Sequence, residues 1–151
     1  MLRRSQSQIT ASLRQSELRC TPQRYFILKY LLENQVHATA DEIYRAVNRS
    51  NPHTSRATVY NSLRALLQAR LVQEVPLEGK AARFDANVER HHHFVCDHCG
   101  RLEDIEWFDF PALASRKALG RRMIRGYQML LRGVCESCSH SAGRKGTRNA
   151  E

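Results

Sequence analysis

No stretch of this sequence approaches the ~20 consecutive apolar residues that a membrane-spanning helix needs. The first residues, Met1-Leu2-Arg3-Arg4-Ser5-Gln6, carry charge without an apolar stretch behind them. Neither a secretory leader nor a membrane anchor is expected, and the protein reads as cytoplasmic. No segment repeats at a fixed period. No Gly-rich loop and no nucleophile elbow is present, so the usual signatures of an enzyme are missing. Acidic residues are the minority: 15 Asp and Glu stand against 24 Lys and Arg, for a net charge of +9. The excess is concentrated early, with 13 basic against 7 acidic residues in positions 1–86. A basic half of this kind suits a polyanionic partner. The five cysteines are not a disulfide framework in a reducing compartment. Four fall into pairs; Cys20, between Leu18 and Thr21-Pro22, reads as a small buried residue at a helix junction.

What is present begins with helices. Ile9 and Leu13 share one face of a first helix within residues 5–18. Thr21-Pro22 reads as a cap with Pro at the first helical position, opening a buried helix through Tyr25-Phe26-Ile27-Leu28 and Leu31-Leu32 to Asn34-Gln35. Thr39 and Glu42 form a capping box for a third helix. Ser55 caps a fourth, whose Val59, Leu63, Leu66 and Leu67 make one apolar stripe. Leu71–Val75 and Ala82–Asp85 then read as a hairpin around Glu78-Gly79-Lys80. Short helices followed by a hairpin make a winged helix, a variant of helix-turn-helix. The first turns of the fourth helix would present Ser55, Arg56, Thr58, Tyr60 and Asn61 to base edges in double-stranded DNA. Asn can read adenine and Arg can read guanine. Arg64, with Arg70 and Lys80, would meet phosphates.

Composition changes near Ala86–Glu89. The expected domains are residues 1–85, a winged helix; 86–140, a small α/β domain with a three-stranded antiparallel sheet; and 141–151, a disordered basic tail, with disorder starting from Ser139. The three strands are His91–Cys96, Leu102–Phe108 and Arg125–Val134, with a helix from Pro111 through Leu113 and Leu119. The overall class is α+β. A half this small is marginal alone and calls for a metal or a partner chain.

Cys96, Cys99, Cys135 and Cys138 stand at C-x2-C-x35-C-x2-C spacing. Four thiolates so placed can close a tetrahedron around one zinc ion and leave no open position, as in a structural site. A pair of redox dithiols would want a helix N-terminus behind each motif, which Gly100 and the polar tail do not promise. His91 and His93 lie two apart on a strand and share a face, while His92 points the other way. Asp104 lies on the next strand, Asp85 ends the wing, and His37 precedes the third helix. Periodicity alone brings together only His91, His93 and Asp104. Nitrogen and carboxylate donors without thiolate suit iron, manganese or zinc.

Thr58-Val59-Tyr60-Asn61-Ser62-Leu63, the run His91–Gly100, Asp104 and Gly133-Val134-Cys135-Glu136-Ser137-Cys138 together resemble the ferric uptake regulator family, over about Thr21 to Cys138. The resemblance implies a homodimeric, metal-dependent repressor, with a winged helix followed by a dimerisation domain. It implies a regulatory iron or manganese ion held by His37, Asp85, His91, His93 and Asp104, beside structural zinc. Asn61 and Asp104 are similar to the peroxide-sensing branch. There, ferrous iron and hydrogen peroxide oxidise a ligand histidine, here His37 or His91. No histidine lies between Cys99 and Cys138, where iron-responsive members often carry another ligand, so a third metal site is not expected. The resemblance implies no small-molecule substrate beyond the ion and peroxide. The nearest alternative is an iron, manganese or zinc uptake regulator of the same fold. A metal-dependent hydrolase using His91, His93 and Asp104, or a thiol switch working through the cysteines, are more distant ones.

Overall fold

The computed structural model describes residues 5–34, 37–110 and 120–143. Its backbone divides into two units, Met1–Val88 and Glu89–Glu151. No helix among the described residues is long and apolar enough to cross a membrane.

In the first unit, Ser5 caps α1 (Gln6–Gln15) by accepting the Gln8 N–H, and the Gln8 side chain returns to the Ser5 N–H. α2 (Pro22–Asn34) starts at the proline, with Thr21 Oγ1 accepting the Arg24 N–H at 3.4 Å. α3 (Ala40–Ser50) carries the expected capping box: Glu42 N–H donates to Thr39 Oγ1, and Thr39 N–H donates to the Glu42 carboxylate at 2.7 Å. Burial raises the Glu42 carboxyl, but the hydrogen bonds from Thr39 and the charge of Arg83 outweigh it and hold the pKa below its ordinary 4.5. Thr39→Ala is expected to cost about 1 kcal/mol of unfolding free energy by denaturant titration. Because the folded pKa is depressed, the carboxylate's share of that stability is full above about pH 4.5 and is lost as pH falls through the folded value. Ser55 caps α4 (Arg56–Gln68). Ile27, Leu28 and Leu31 of α2 bury against Ile43 and Val47 of α3 and Val59, Leu63 and Leu66 of α4, with Ile9 and Leu13 closing one side.

A three-stranded antiparallel sheet completes this unit in the order β1 (Ala38–Thr39), β3 (Arg83–Asp85), β2 (Gln73–Val75). The β2–β3 hairpin is the expected wing; Gly79, at φ +66°, supplies the left-handed turn residue. β1 was not anticipated. Two residues are too few for a period to show. Cys20 is exposed, not buried as expected. Leu18 takes the position against the core, and Cys20 is left in the connection ahead of the Thr21 cap.

The second unit holds β4 (His91–Cys96), β5 (Leu102–Glu106), β6 (Leu130–Gly133) and α5 (Glu136–Gly143). Its sheet is mixed, not antiparallel. β5 runs against β4, but β6 runs parallel to it, with Cys96 opposite Gly133. β5 carries the chain back to the end of the sheet where β4 begins, so β6 can start there and run parallel to β4. β5 and β6 are both shorter than the sequence suggested. α5 also overturns the expectation of disorder from Ser139, since helix continues to Gly143. The expected helix from Pro111 to Leu119 and the tail 144–151 lie outside the described residues.

Candidate metal centres and nucleic-acid face

The parallel pairing of β6 with β4 brings the cysteines together. Strands in register and pointing the same way deliver Cys96/Cys99 and Cys135/Cys138 to the same end of the sheet. An antiparallel β6 would have put the second pair a strand length away, about 20 Å for six residues. At that end Gly100 adopts φ +70°, its N–H donates to the Cys96 carbonyl at 2.8 Å, and Cys138 N–H donates to the Cys135 carbonyl at 3.0 Å. All four Sγ atoms lie within 4.8 Å of one another. Cys99 Sγ and Cys135 Sγ are 3.7 Å apart. That matches the edge of about 3.8 Å of a tetrahedron with ~2.3 Å metal–sulfur bonds, and is far beyond a disulfide bond. The Cys135 N–H donates to Cys96 Sγ at 3.3 Å. This bond, with others from Cys99 and His98, pulls the Cys96 thiol down to about 6. Cys138, hydrogen-bonded to Cys135 and Cys99, is pushed up to about 12. A dication among four thiolates removes that conflict. The second pair does have a helix start behind it, contrary to expectation. What argues against two separate dithiols is the convergence of all four sulfurs.

A second donor set in the same unit contains no sulfur. His91 and His93 stand on one face of β4, both buried, with their Nε2 atoms 3.0 Å apart. Asp104 lies directly across from His93, its Oδ1 at 3.5 Å from His91 Nε2 and 3.8 Å from His93 Nε2. His91 Nδ1 faces the Glu89 carbonyl at 2.8 Å. A carbonyl only accepts, so Nδ1 carries the proton and Nε2 presents its lone pair, as a metal-ligating histidine does.

The first unit holds its own pair. β1 against β3 puts Ala38 opposite Phe84, which sets His37 beside Asp85, with Nε2 and Oδ2 3.9 Å apart. Both are buried. The Asp85 carboxylate accepts the Asn87 N–H at 2.7 Å and the Gln73 amide at 2.9 Å. Arg83 Nη1 donates to the His37 carbonyl at 2.8 Å. Neither Gln73 nor Arg83 was among the candidate site residues. The register of β2 and β3, in which Gln73 faces Asp85, is the signal that finds the first of them.

On α4, Tyr60, Asn61 and Arg64 are exposed. Thr58 is half-buried and its hydroxyl bonds the Ser55 hydroxyl at 2.9 Å. Arg56, expected to read bases, has its guanidinium engaged by Asp41 of α3 and stacked 4.5 Å over the Tyr44 ring. The hydrogen bond from Arg56 holds the Asp41 carboxyl below its ordinary 3.8. Lys80 and Arg70 are exposed, Arg70 at φ +54°.

The pattern of the ferric uptake regulator family matches residues 15–122. The peroxide-responsive repressor PerR of Staphylococcus aureus is 39% identical over 132 residues, which span 85% of this chain and 87% of that one. Among solved structures, the Campylobacter jejuni peroxide stress regulator superposes with TM-score 0.64 at 26% identity, over 87% of this chain and 97% of that chain. The Vibrio cholerae ferric uptake regulator superposes with TM-score 0.66 at 25% identity, over 83% and 98%.

Proposed function

This chain belongs to the ferric uptake regulator family, and on that footing we propose that it is a homodimeric, metal-dependent DNA-binding repressor that senses hydrogen peroxide. The observation that carries the reading is the thiolate-free donor set: the Nε2 atoms of His91 and His93 meet at 3.0 Å beside the Asp104 carboxylate, separate from the four cysteines. Such donors take a redox-active divalent ion, whereas the closed cysteine set suits zinc. His37, Asp85, His91, His93 and Asp104 together hold one regulatory iron or manganese ion. Cys96, Cys99, Cys135 and Cys138 hold structural zinc. Likeness to peroxide-responsive relatives supports the choice of signal. The protein works in the cytoplasm as a regulator and not as an enzyme.

The switch is a population shift. The ion binds the DNA-competent state better than the other, so it favours that state by its differential affinity, and losing a ligand removes much of the difference. The reading is tested by operator binding with manganese or iron, each with and without peroxide. Affinity is expected with either metal, and loss is expected only with iron plus peroxide. Loss with both metals, or with neither, contradicts peroxide sensing; an uptake regulator gives the latter.

On the DNA side, Arg64→Ala is expected to weaken binding to every sequence alike and to flatten the salt dependence by a slope of about 1. Asn61→Ala is expected to cost about 1–3 kcal/mol at one base position and leave the salt slope unchanged. Fluorescence anisotropy against potassium chloride concentration separates the two.

A further inference from the structure

His92 sits between the two ligand histidines of β4 and takes no part in either donor set. It is fully buried, and its ring faces away from His91 and His93. Both ring nitrogens are used. The Met129 N–H donates to Nδ1 at 3.3 Å, and Nε2 donates to the Phe108 carbonyl at 3.0 Å. The ring is packed by Trp107 at 4.5 Å, edge-on by Phe108 at 4.6 Å and stacked with Tyr127 at 5.7 Å. The Tyr127 hydroxyl donates to the same Phe108 carbonyl at 3.2 Å and accepts the Phe110 N–H at 2.8 Å. Arg90, the residue before His91, lays its guanidinium 3.9 Å over the Trp107 ring. One imidazole thus fastens the exit of β5 and the approach to β6 onto the ligand strand.

We infer that His92 is a positioning residue for the regulatory metal: its bonds to Phe108 and Met129 fix the rotation of β4, and with it the direction in which His91 and His93 present Nε2. Successive side chains on a strand are rigidly opposed, so a ring that cannot turn on one face holds its neighbours on the other. Groups hydrogen-bonded to metal ligands commonly change affinity by 10–100-fold when removed; His92 acts one step further out, through the strand that carries the ligands. The inference rests on the metal reading above and adds a residue to it.

The test uses the full zinc-loaded chain and manganese as probe. His92→Phe keeps an aromatic ring but loses both hydrogen bonds; His92→Gln can return an amide N–H to the Phe108 carbonyl. Manganese affinity is expected to fall at least tenfold in the Phe variant, with one zinc per chain retained, and to recover in part in the Gln variant. The visible spectrum of cobalt at the same site should shift in the Phe variant and move back in the Gln variant. Unchanged manganese affinity and cobalt spectrum in the Phe variant overturn the inference. Should that variant lose zinc, hydrogen exchange of the Met129 amide in the unaltered protein decides. Manganese should slow it, and an unchanged rate overturns the inference. A failure of the unaltered protein to bind manganese, or binding that survives His91→Ala, would instead sink the metal reading itself.

Discussion

Iron-loaded protein exposed to hydrogen peroxide is expected to gain one oxygen atom on His37 or His91 and to lose at least tenfold in operator affinity. Manganese-loaded protein keeps both its mass and its affinity. Ferrous iron, when bound, supplies the electron transfer that activates peroxide. The net change at the protein is balanced: a ring C–H becomes C–OH, two electrons pass from the imidazole to peroxide, and the second peroxide oxygen leaves as water. His93 is the less exposed of the β4 pair, 1% against 5% for His91, and the two ring centroids lie 4.5 Å apart. His91 lies at the start of β4 with Nδ1 against the Glu89 carbonyl, so oxygen added to its ring disturbs that contact and the donor set with it. Turning a two-state equilibrium from 99:1 to 1:99 takes about 5.5 kcal/mol of differential binding. A smaller loss from one imidazole in five donors would leave repression leaky in proportion. Proteolytic digestion with mass spectrometry reads the oxygen, and anisotropy on labelled operator reads the affinity. Loss of DNA binding with His37 and His91 both intact would move the sensing to the cysteines.

Removing zinc should have the larger structural effect. Among the described residues, the second unit buries few apolar side chains: Val95 and Leu102, with Cys96 and Cys135 themselves. The main apolar cluster lies wholly within residues 9–86. Structural zinc sites contribute roughly 10–16 kcal/mol, comparable to or more than the whole stability of an ordinary domain at about 5–15 kcal/mol. Cys135→Ser, or chelation at elevated temperature, is therefore expected to unfold the second unit while the first keeps its helices. Zinc content, circular dichroism and gel filtration measure this together: zinc and dimer should be lost, and much of the helical signal kept. A zinc-free protein that still dimerises and keeps its β4 amides protected from exchange would contradict the account.

The winged-helix half was legible because its signals are local. A capping box, a proline at a helix start and an apolar stripe are each local to one helix and its cap, and Ser55, Thr39 and Pro22 act where expected. What escaped was set by pairing between distant segments. β1 has only two residues, and it is a strand because β3 offers it an edge; that pairing, not any motif, sets His37 beside Asp85. The direction of β6 was misjudged because strand direction leaves no mark in a hydrophobic pattern. Yet the cysteine spacing held a clue, since two pairs that must meet need strands ending at the same side. Arg56 was expected to read bases, and its engagement by Asp41 of α3 shows how a neighbouring helix can claim a side chain that looks free in sequence.

Building one site from two distant cysteine pairs has a consequence for biosynthesis. Cys99 and Cys135 are separated by 36 positions. At a translation rate of about 5–20 residues per second, the first cysteine pair leaves the ribosome roughly 2–7 s before its partners. For that interval Cys96 and Cys99 are adjacent thiols with no metal closed around them. Peroxide reaching the nascent chain then finds a pair able to oxidise to a disulfide before the tetrahedron can form. The first pair is thus more open to oxidation before its partners emerge than in the closed set of four cysteines.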